Sequence, residues 1–353
     1  MTNALPGATN SKALAQSRAR AVRPYLRRVI AFFNGKGGAG KTSLSTNTAA
    51  TIAGSLAAAR SRKRALLIQL DKQGDAGLDL GYRYQDDDRG KDDDGLSIFN
   101  VCIGAGSLNI IRGVRENLDV VPGGNMIENL SSFLKGSDAK KRADARLRFA
   151  EAIAAVAHEY EYICIDCPPI DEELQVLGLV AAAWILIPVQ FDASSLYGLE
   201  GVSDGIEEAE QLNPELDVLG IVMFAFDSRD LRRYTEKGTG EERYRETGQR
   251  ARVRRKLQQE LERLKSKSIV FQTVITNNRN VAEDCRDFGR TAAEVAEAAK
   301  HPEWRKLRVK NGLSAFTAEA AMNVAADYED LASEAISRVK MLEAAKRNAS
   351  DAQ

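Results

Sequence analysis

Six near-continuous apolar runs are spread along the 353-residue chain, and stretches with helical spacing of apolar residues separate them. Apolar runs without alternation are typical of parallel strands that are covered on both faces. The pattern therefore predicts an α/β fold with a doubly wound, mostly parallel sheet flanked by helices on both faces. The runs are RVIAFFN (28–34), RALLIQLD (64–71), YICIDCPP (162–169), AWILIPVQ (183–190), VLGIVMFAF (218–226) and IVFQTVI (269–275).

Charge and composition set the predicted domain boundaries. Residues 1–27 contain arginine and lysine but no acidic residue, so we expect a flexible basic N-terminal arm. Residues 28–345 are expected to form a single domain with a charged helical insertion over 229–267. The same domain includes an aspartate-rich segment over 85–95. It lacks the spacing of an EF-hand, which favours a solvated loop over a cation site. Residues 346–353 are expected to be a polar tail.

Net charge, cysteine usage and the lengths of the apolar runs indicate the class of protein and its expected cellular compartment. The 50 basic and 50 acidic residues cancel, so whole-chain charge predicts no partner. The four cysteines include a C-x-x-C pair, Cys164 and Cys167, but this pair lies in an apolar run and is expected to be buried rather than redox-active. No run approaches the 18 apolar residues of a membrane span. We therefore expect a soluble, intracellular protein.

The segment GKGGAGKT, residues 35–42, matches the phosphate-loop template G-x-x-x-x-G-K-[ST]. It follows a predicted strand and precedes an Ala-rich helical stretch, which is the context that the template requires. Its glycines let backbone N–H groups point at phosphate oxygens. Lys41 would supply charge to the phosphates, and the Thr42 hydroxyl would ligate Mg²⁺. The predicted nucleotide contacts in the loop are Gly35, Lys36, Gly37, Gly38, Ala39, Gly40, Lys41, Thr42 and Ser43.

Two acids end neighbouring apolar runs. Asp166 closes YICID, and Asp71 closes LLIQLD. Parallel strands bring their carboxyl ends to one sheet edge, so one acid would hold the metal and the other would position water. Asp166 as a cap or turn residue is the alternative. The sequence predicts nucleotide hydrolysis with Lys41, Asp71 and Asp166 as participants.

The phosphate-loop template does not require a lysine at position 36. KGGAGKT resembles the deviant Walker A box, KGG-x-GK-[TS], of the ParA/MinD group of ATPases. The resemblance implies that Lys36 crosses a dimer interface and contacts the partner's phosphates as a further catalytic residue. It also implies a homodimer held together by two sandwiched ATP molecules with Mg²⁺.

The resemblance continues in order along residues 28–339. IQLDKQGD resembles V-D-x-D-P-Q-G-N, which implies that Asp71 orients the attacking water and that Gln73 is the glutamine of this box. Gln69 and Lys72 replace an acid and a proline of the family pattern. YEYICIDCPPI resembles Y-D-Y-I-I-I-D-x-P-P, which matches Asp166 to the Walker B acid that holds Mg²⁺, directly or through water.

Two further segments favour the ParA branch, which segregates plasmids or chromosomes. GIVMFAFDSRDL resembles G-x-L-x-T-M-Y-D-x-R. VFQTVITNNRNVAED resembles V-F-x-T-V-I-P-R-N-V-x-L-x-E-A, which implies that Asn278 lines the site of the nucleotide base. The guanine-reading motif N-K-x-D is missing from TNNRN, so ATP is favoured over GTP.

Membership of this branch implies a cytoplasmic, nucleoid-associated ATPase. Its ATP-bound dimer would bind nonspecific double-stranded DNA, and a ParB-like centromere-binding protein would stimulate hydrolysis and release. The net-positive insertion 229–267 is the candidate DNA surface, because contacts to DNA phosphates need basic side chains but no sequence reading. A solvated charged helix is the alternative. The candidate DNA-binding residues are Arg250, Arg252, Arg254, Arg255 and Lys256.

Two other functions fit parts of the sequence. A MinD-like membrane-associated ATPase would need a terminal amphipathic helix with bulky apolar residues. The end of this chain offers only Val339, Met341 and Leu342, so no membrane partner is expected. A nucleotide-gated DNA-binding scaffold with little hydrolysis is suggested by Gln69 and Lys72.

Overall fold

The computed structural model describes residues 6–84, 92–190, 204–235, 242–263, 266–314 and 316–351. Its strands are β1 (Val29–Phe32), β2 (Arg64–Gln69), β3 (Ile111–Arg115), β4 (Leu118–Val121), β5 (Tyr160–Asp166), β6 (Trp184–Val189), β7 (Asp217–Phe226), β8 (Leu231–Thr235), β9 (Glu242–Glu246) and β10 (Val270–Thr276).

The helices begin with α1 (Pro6–Val22), α2 (Lys41–Ala58), α3 (Asp75–Asp79), α4 (Leu96–Ile103), α5 (Met126–Lys135), α6 (Ala139–Val156) and α7 (Glu172–Ala181). A further helix, α8, is described over 204–210. The later helices are α9 (Gly248–Arg263), α10 (Arg279–Phe288), α11 (Ala292–Ala299), α12 (Pro302–Lys310) and α13 (Ala318–Asp351).

Eight of these strands form one sheet in the order β10-β7-β6-β1-β5-β2-β4-β3. Only β3 runs antiparallel to its neighbour, β4. Successive residues of each strand enter opposite cores, as the pleat requires: Ala31 packs with α4–α7, whereas Ile30 and Phe32 pack with α2, α11 and α13. The predicted fold class, a mostly parallel sheet covered on both faces, is confirmed.

The register of the central strands assembles the sheet edge that carries the site. Phe32 of β1 and Gln69 of β2 both pair with Asp166, the last residue of β5. The segments that follow these three strands therefore emerge side by side. They carry the glycine loop, Asp71 and the Pro168–Pro169 turn, respectively.

The N-terminal segment differs from the flexible arm that the sequence predicted. Residues 6–22 form α1, which packs on α6. Arg18 donates to Asp144 and to Glu151 at 2.8 Å each. Ala19 and Val22 are buried. Arg18, one of the basic residues that suggested a free arm, is thus paired with acids more than a hundred residues away. Composition alone does not reveal such pairs.

Other elements also differ from the sequence-based prediction. The insertion 229–267 was predicted to be helical, but β8 and β9 form an antiparallel hairpin before α9. The C-terminal helix continues to Asp351 instead of ending near residue 345. Strands β3 and β4, each five residues or shorter, were not predicted. Of the aspartate-rich segment, residues 85–91 lie outside the described residues.

No helix in the described ranges combines the length and the apolar character needed to cross a bilayer.

Candidate nucleotide site

The glycine loop joins β1 to α2 and needs glycine where its backbone turns. Gly38 and Gly40 have φ values of +72° and +87°, in the left-handed region that glycine alone adopts without strain. A Cβ on Gly40 would also overlap the ring of Phe224. The loop therefore curls against Phe224 and directs the N-terminus of α2 inward, where helix N–H groups favour an anion.

Lys41 supplies a buried positive charge inside this loop. It is 5% exposed, and its Nζ donates to the backbone carbonyl of Lys36 at 2.8 Å. Burial lowers the pKa of Lys41, and the nearby Asp166 carboxylate opposes this shift. A phosphate oxygen would be a stronger acceptor for this amine than a neutral carbonyl.

Two side chains that the sequence analysis did not single out support the loop. The buried Asn34 accepts the N–H of Lys36 at 2.8 Å and donates to the Pro188 carbonyl at 2.6 Å. Gln190 donates to the Gly38 carbonyl at 2.7 Å. Both residues directly follow apolar runs. A polar residue at the end of a predicted strand is the signal that could have identified them.

Asp166 is fully buried at the end of β5. Neither of its carboxylate oxygens has a hydrogen-bond donor in bonding geometry among the described residues. Burial raises the pKa of Asp166 to about 7, although the nearby Thr42 hydroxyl opposes this rise. Carboxylate and hydroxyl oxygens are the ligands that Mg²⁺ prefers, with waters completing its octahedron. The unpaired carboxylate beside Thr42 thus fits a Mg²⁺ site.

Asp71 lies two residues after the end of β2 and lines a cleft beside the glycine loop. Its carboxylate accepts the N–H of Gln73 at 2.9 Å, and its carbonyl accepts the N–H of Gly124 at 3.1 Å. Its negative charge contributes to the raised pKa of Asp166. The structure places Asp71 and Asp166 close enough to Lys41 for both carboxylates to oppose the lowering of its pKa by burial.

The two residues that depart from the family pattern occupy very different environments. Gln69 is fully buried and accepts the hydroxyl of Tyr82 at 2.6 Å. Lys72 is exposed and pairs with Glu128 at 3.3 Å. Gln69 thus helps to hold the residues that follow α3, while Lys72 points away from the cleft.

The cleft has a volume of about 790 Å³, which is within the range of small-molecule sites. Its walls include residues 38–43, Asp71, Gln73 and Asn278. The Asn278 side chain caps α10 by accepting the N–H of Val281 at 3.2 Å. Lys36 does not line the cleft within the described structure. Its side chain is half-buried.

An arginine that sequence analysis missed braces the Asp71 turn. Arg83 donates to the carbonyl of Gln73 at 2.8 Å and to that of Gly123 at 3.3 Å. Its Nε donates to Asp92 at 2.8 Å. Arg83 therefore connects this turn to the described end of the aspartate-rich segment.

Helix α9 separates the five basic residues proposed for DNA into two groups. Arg250 and Arg254 both donate to Glu246 at 2.6 Å, and each side chain is 11% exposed. Arg254 also donates to the Phe271 carbonyl at 2.6 Å. These two arginines therefore hold α9 to its neighbours. The exposed remainder, which we call the α9 patch, consists of Arg252, Arg255 and Lys256.

Comparison with known proteins identifies the family of this chain through a family model and through related sequences. A family model described as "AAA domain" matches residues 27–218, more than half of the chain. The chain is 33% identical over 220 residues to the chromosome partitioning protein ParA of Myxococcus xanthus, covering 62% of this chain and 71% of the relative.

The fold of this chain is also similar to the folds of solved structures. The ATP complex of a Cyanothece McdA variant has a TM-score of 0.56 at 14% identity, covering 82% of this chain and 98% of that one. The septum site-determining protein MinD of Pyrococcus horikoshii, complexed with Mg-ADP, has a TM-score of 0.51 at 17% identity, covering 87% and 95%.

Proposed function

This chain belongs to the AAA-domain family matched above and, within it, to the ParA/MinD group, and from that premise we propose that it is an ATP-dependent DNA partition ATPase. ATP would join two copies into a nucleotide-sandwich dimer that binds nonspecific double-stranded DNA. Hydrolysis, stimulated by a ParB-like centromere-binding protein, would release the DNA. The place of action would be the nucleoid in the cytoplasm.

One observation carries the catalytic part of this proposal. The buried Lys41 lines the cleft within a glycine loop, and the fully buried Asp166 carboxylate, which has no donor among the described residues, lies close enough to oppose the lowering of that lysine's pKa by burial. The Lys41 amine would neutralise charge on the phosphates. Thr42 and Asp166 would hold Mg²⁺, Asp166 directly or through water. When bound, Mg²⁺ supplies further neutralisation of the phosphate charge. Asp71 would accept a hydrogen bond from the attacking water and orient it.

The assignment of the remaining site residues follows from their positions. Residues 35–43 would surround the phosphates through backbone N–H groups. Asn278, which also lines the cleft, would lie beside the base. Lys36, which does not line the cleft in the described structure, would reach the phosphates of the facing copy.

A scaffold with little hydrolysis is the second candidate, and the buried Gln69 favours it. An amide at this position cannot act as the acid that the family pattern has there. Release of phosphate from ATP, measured with and without DNA, separates the two candidates. A complete lack of phosphate release supports the scaffold, while turnover supports the ATPase.

DNA co-sedimentation tests the proposal as a whole. The full chain is spun with duplex DNA of unrelated sequences in ATP, in ADP and without nucleotide, beside a liposome control. We expect DNA binding in ATP alone and no sedimentation with liposomes. DNA binding that does not depend on the nucleotide would contradict the proposed function. Sedimentation with liposomes instead of DNA would also contradict it.

A further inference from the structure

The turn between β5 and α7 exposes a large apolar side chain in a backbone conformation that isoleucine rarely adopts. Ile170 is 77% exposed and has a φ of +66°. Left-handed φ values are strained for β-branched residues. The N–H of Asp171 donates to the Pro169 carbonyl at 2.7 Å, which closes a γ-turn around Ile170. An isoleucine this exposed adds little to the core, so packing within one copy does not explain it.

The neighbouring residues hold this strained turn in place. Asp171 accepts the Ser131 hydroxyl at 2.5 Å and caps α7 by accepting the N–H of Leu174 at 3.3 Å. On the other side, Gln175 donates to the Pro168 carbonyl at 3.0 Å. Strained backbone persists where its surroundings determine it from several sides, and such places are often functional. The turn therefore presents Ile170 in a fixed direction.

The turn that carries Ile170 lies beside the nucleotide cleft. Pro169 lines the nucleotide cleft, and a Cβ added to Gly37 would lie 4.0 Å from the Pro169 Cβ. Ile170 therefore follows directly after a residue that contacts the phosphate loop.

We propose that Ile170 is an apolar anchor in the interface between two ATP-bound copies of this chain. The inference rests on the proposed function, which brings a second copy to this side of the loop. In a twofold dimer each copy contributes its own Ile170. Anchors presented by a rigid backbone lose little conformational freedom on binding, and a few such residues dominate the affinity of an interface.

The test compares two substitutions, Ile170→Gly and Ile170→Asn. Both residue types accept a positive φ, and neither carries an apolar side chain, so the turn is retained while the anchor is removed. Sedimentation velocity is run over a concentration series with a non-hydrolysable ATP analogue and Mg²⁺. We expect the dimer Kd to rise roughly tenfold or more in both variants. Nucleotide affinity, measured below the dimerisation concentration, should not change.

Val309→Ser is the matched control. Val309 lies on α12 and is 62% exposed, so this variant also loses an exposed apolar side chain. It should dimerise like the wild type. An unchanged dimer Kd in either Ile170 variant would overturn the proposal. So would loss of binding to phosphatidylglycerol vesicles in Ile170→Gly with an intact dimer, because Ile170 would then meet lipid. If the wild type stays monomeric with the analogue, the proposed function itself fails before any variant is compared.

Discussion

The guanidinium of Arg83 donates to the backbone carbonyl of Gln73 at 2.8 Å, two residues after Asp71. Asp71 in turn accepts the N–H of Gln73 at 2.9 Å. A Cβ on Gly74 would overlap the Arg83 guanidinium, so the turn and the arginine fit closely. The position of the Asp71 carboxylate thus depends on a side chain that does not itself line the cleft in the described structure.

Replacement of Arg83 by alanine should therefore affect turnover more than nucleotide binding. We expect Arg83→Ala to lower kcat about tenfold, because small misplacement of a catalytic group is costly, while KM for ATP stays within about twofold. Arg83→Lys should restore part of kcat, since an ammonium can reach one of the two carbonyls. Steady-state phosphate release measures both constants.

Lys306→Ala is the control for this experiment, because it removes an exposed cation that pairs with Glu303 and does not line the cleft in the described structure. It should leave kcat unchanged. An Arg83→Ala variant that remains folded and hydrolyses ATP at the wild-type rate would show that the guanidinium does not position Asp71.

The raised pKa of Asp166 predicts a dependence of stability on pH. In the folded chain without metal this pKa is about 7, while the ordinary value is 3.8. The folded state thus holds a proton that the unfolded chain loses near pH 4. The contribution of Asp166 to the free energy of unfolding is therefore largest below about pH 4, and it declines as the pH rises towards 7. Above pH 7 the folded chain contains a buried negative charge that Lys41 compensates only in part.

Asp166→Asn removes this charge while keeping the size of the side chain. In EDTA without nucleotide, we expect the free energy of unfolding at pH 8 to rise by about 1–3 kcal/mol, with little change at pH 4. Urea unfolding at both pH values measures it. A variant that is equally destabilised at both values would mean that the carboxylate is not buried and unpaired.

Substitution of the two lysines of the loop should affect ATP binding and dimerisation differently. Lys41→Ala should abolish ATP binding, because the buried cation inside the loop is removed. Lys36→Ala should retain it, because Lys41 contacts the backbone carbonyl of Lys36, which the substitution preserves. The Lys36 variant should nevertheless remain monomeric with ATP. Equilibrium dialysis and sedimentation measure these outcomes, and an ATP-dependent dimer of Lys36→Ala would exclude the cross-subunit role.

The sequence predicted the structural elements that local residue patterns encode. Each of the six apolar runs coincides with all or most of a strand of the main sheet, because burial on both faces leaves a continuous apolar signal. Contacts distant in sequence escaped prediction. Nothing near Arg18 reveals its acids on α6, and nothing near Arg83 reveals the carbonyls of Gln73 and Gly123. The density of arginines on α9 likewise does not distinguish Arg254, which bonds inward, from its exposed neighbours.

The α9 patch gives the last prediction. Reversing its three charges to glutamate should weaken ATP-dependent DNA binding equally for unrelated sequences, because ion pairs with phosphates carry little sequence information. The slope of log K against log salt should fall by about one for each DNA phosphate that the variant no longer neutralises. Gel shifts over a salt series measure both effects. Because the patch is exposed, folding and ATP binding should be retained.

A matched control reverses the same number of exposed charges on α12, namely Arg305, Lys306 and Lys310. The two variants have the same net charge, so a general electrostatic effect would weaken DNA binding in both alike. Weakening confined to the α9 variant would assign the DNA surface to α9. Equal weakening in both variants, or weakening in the α12 variant alone, would remove α9 as that surface.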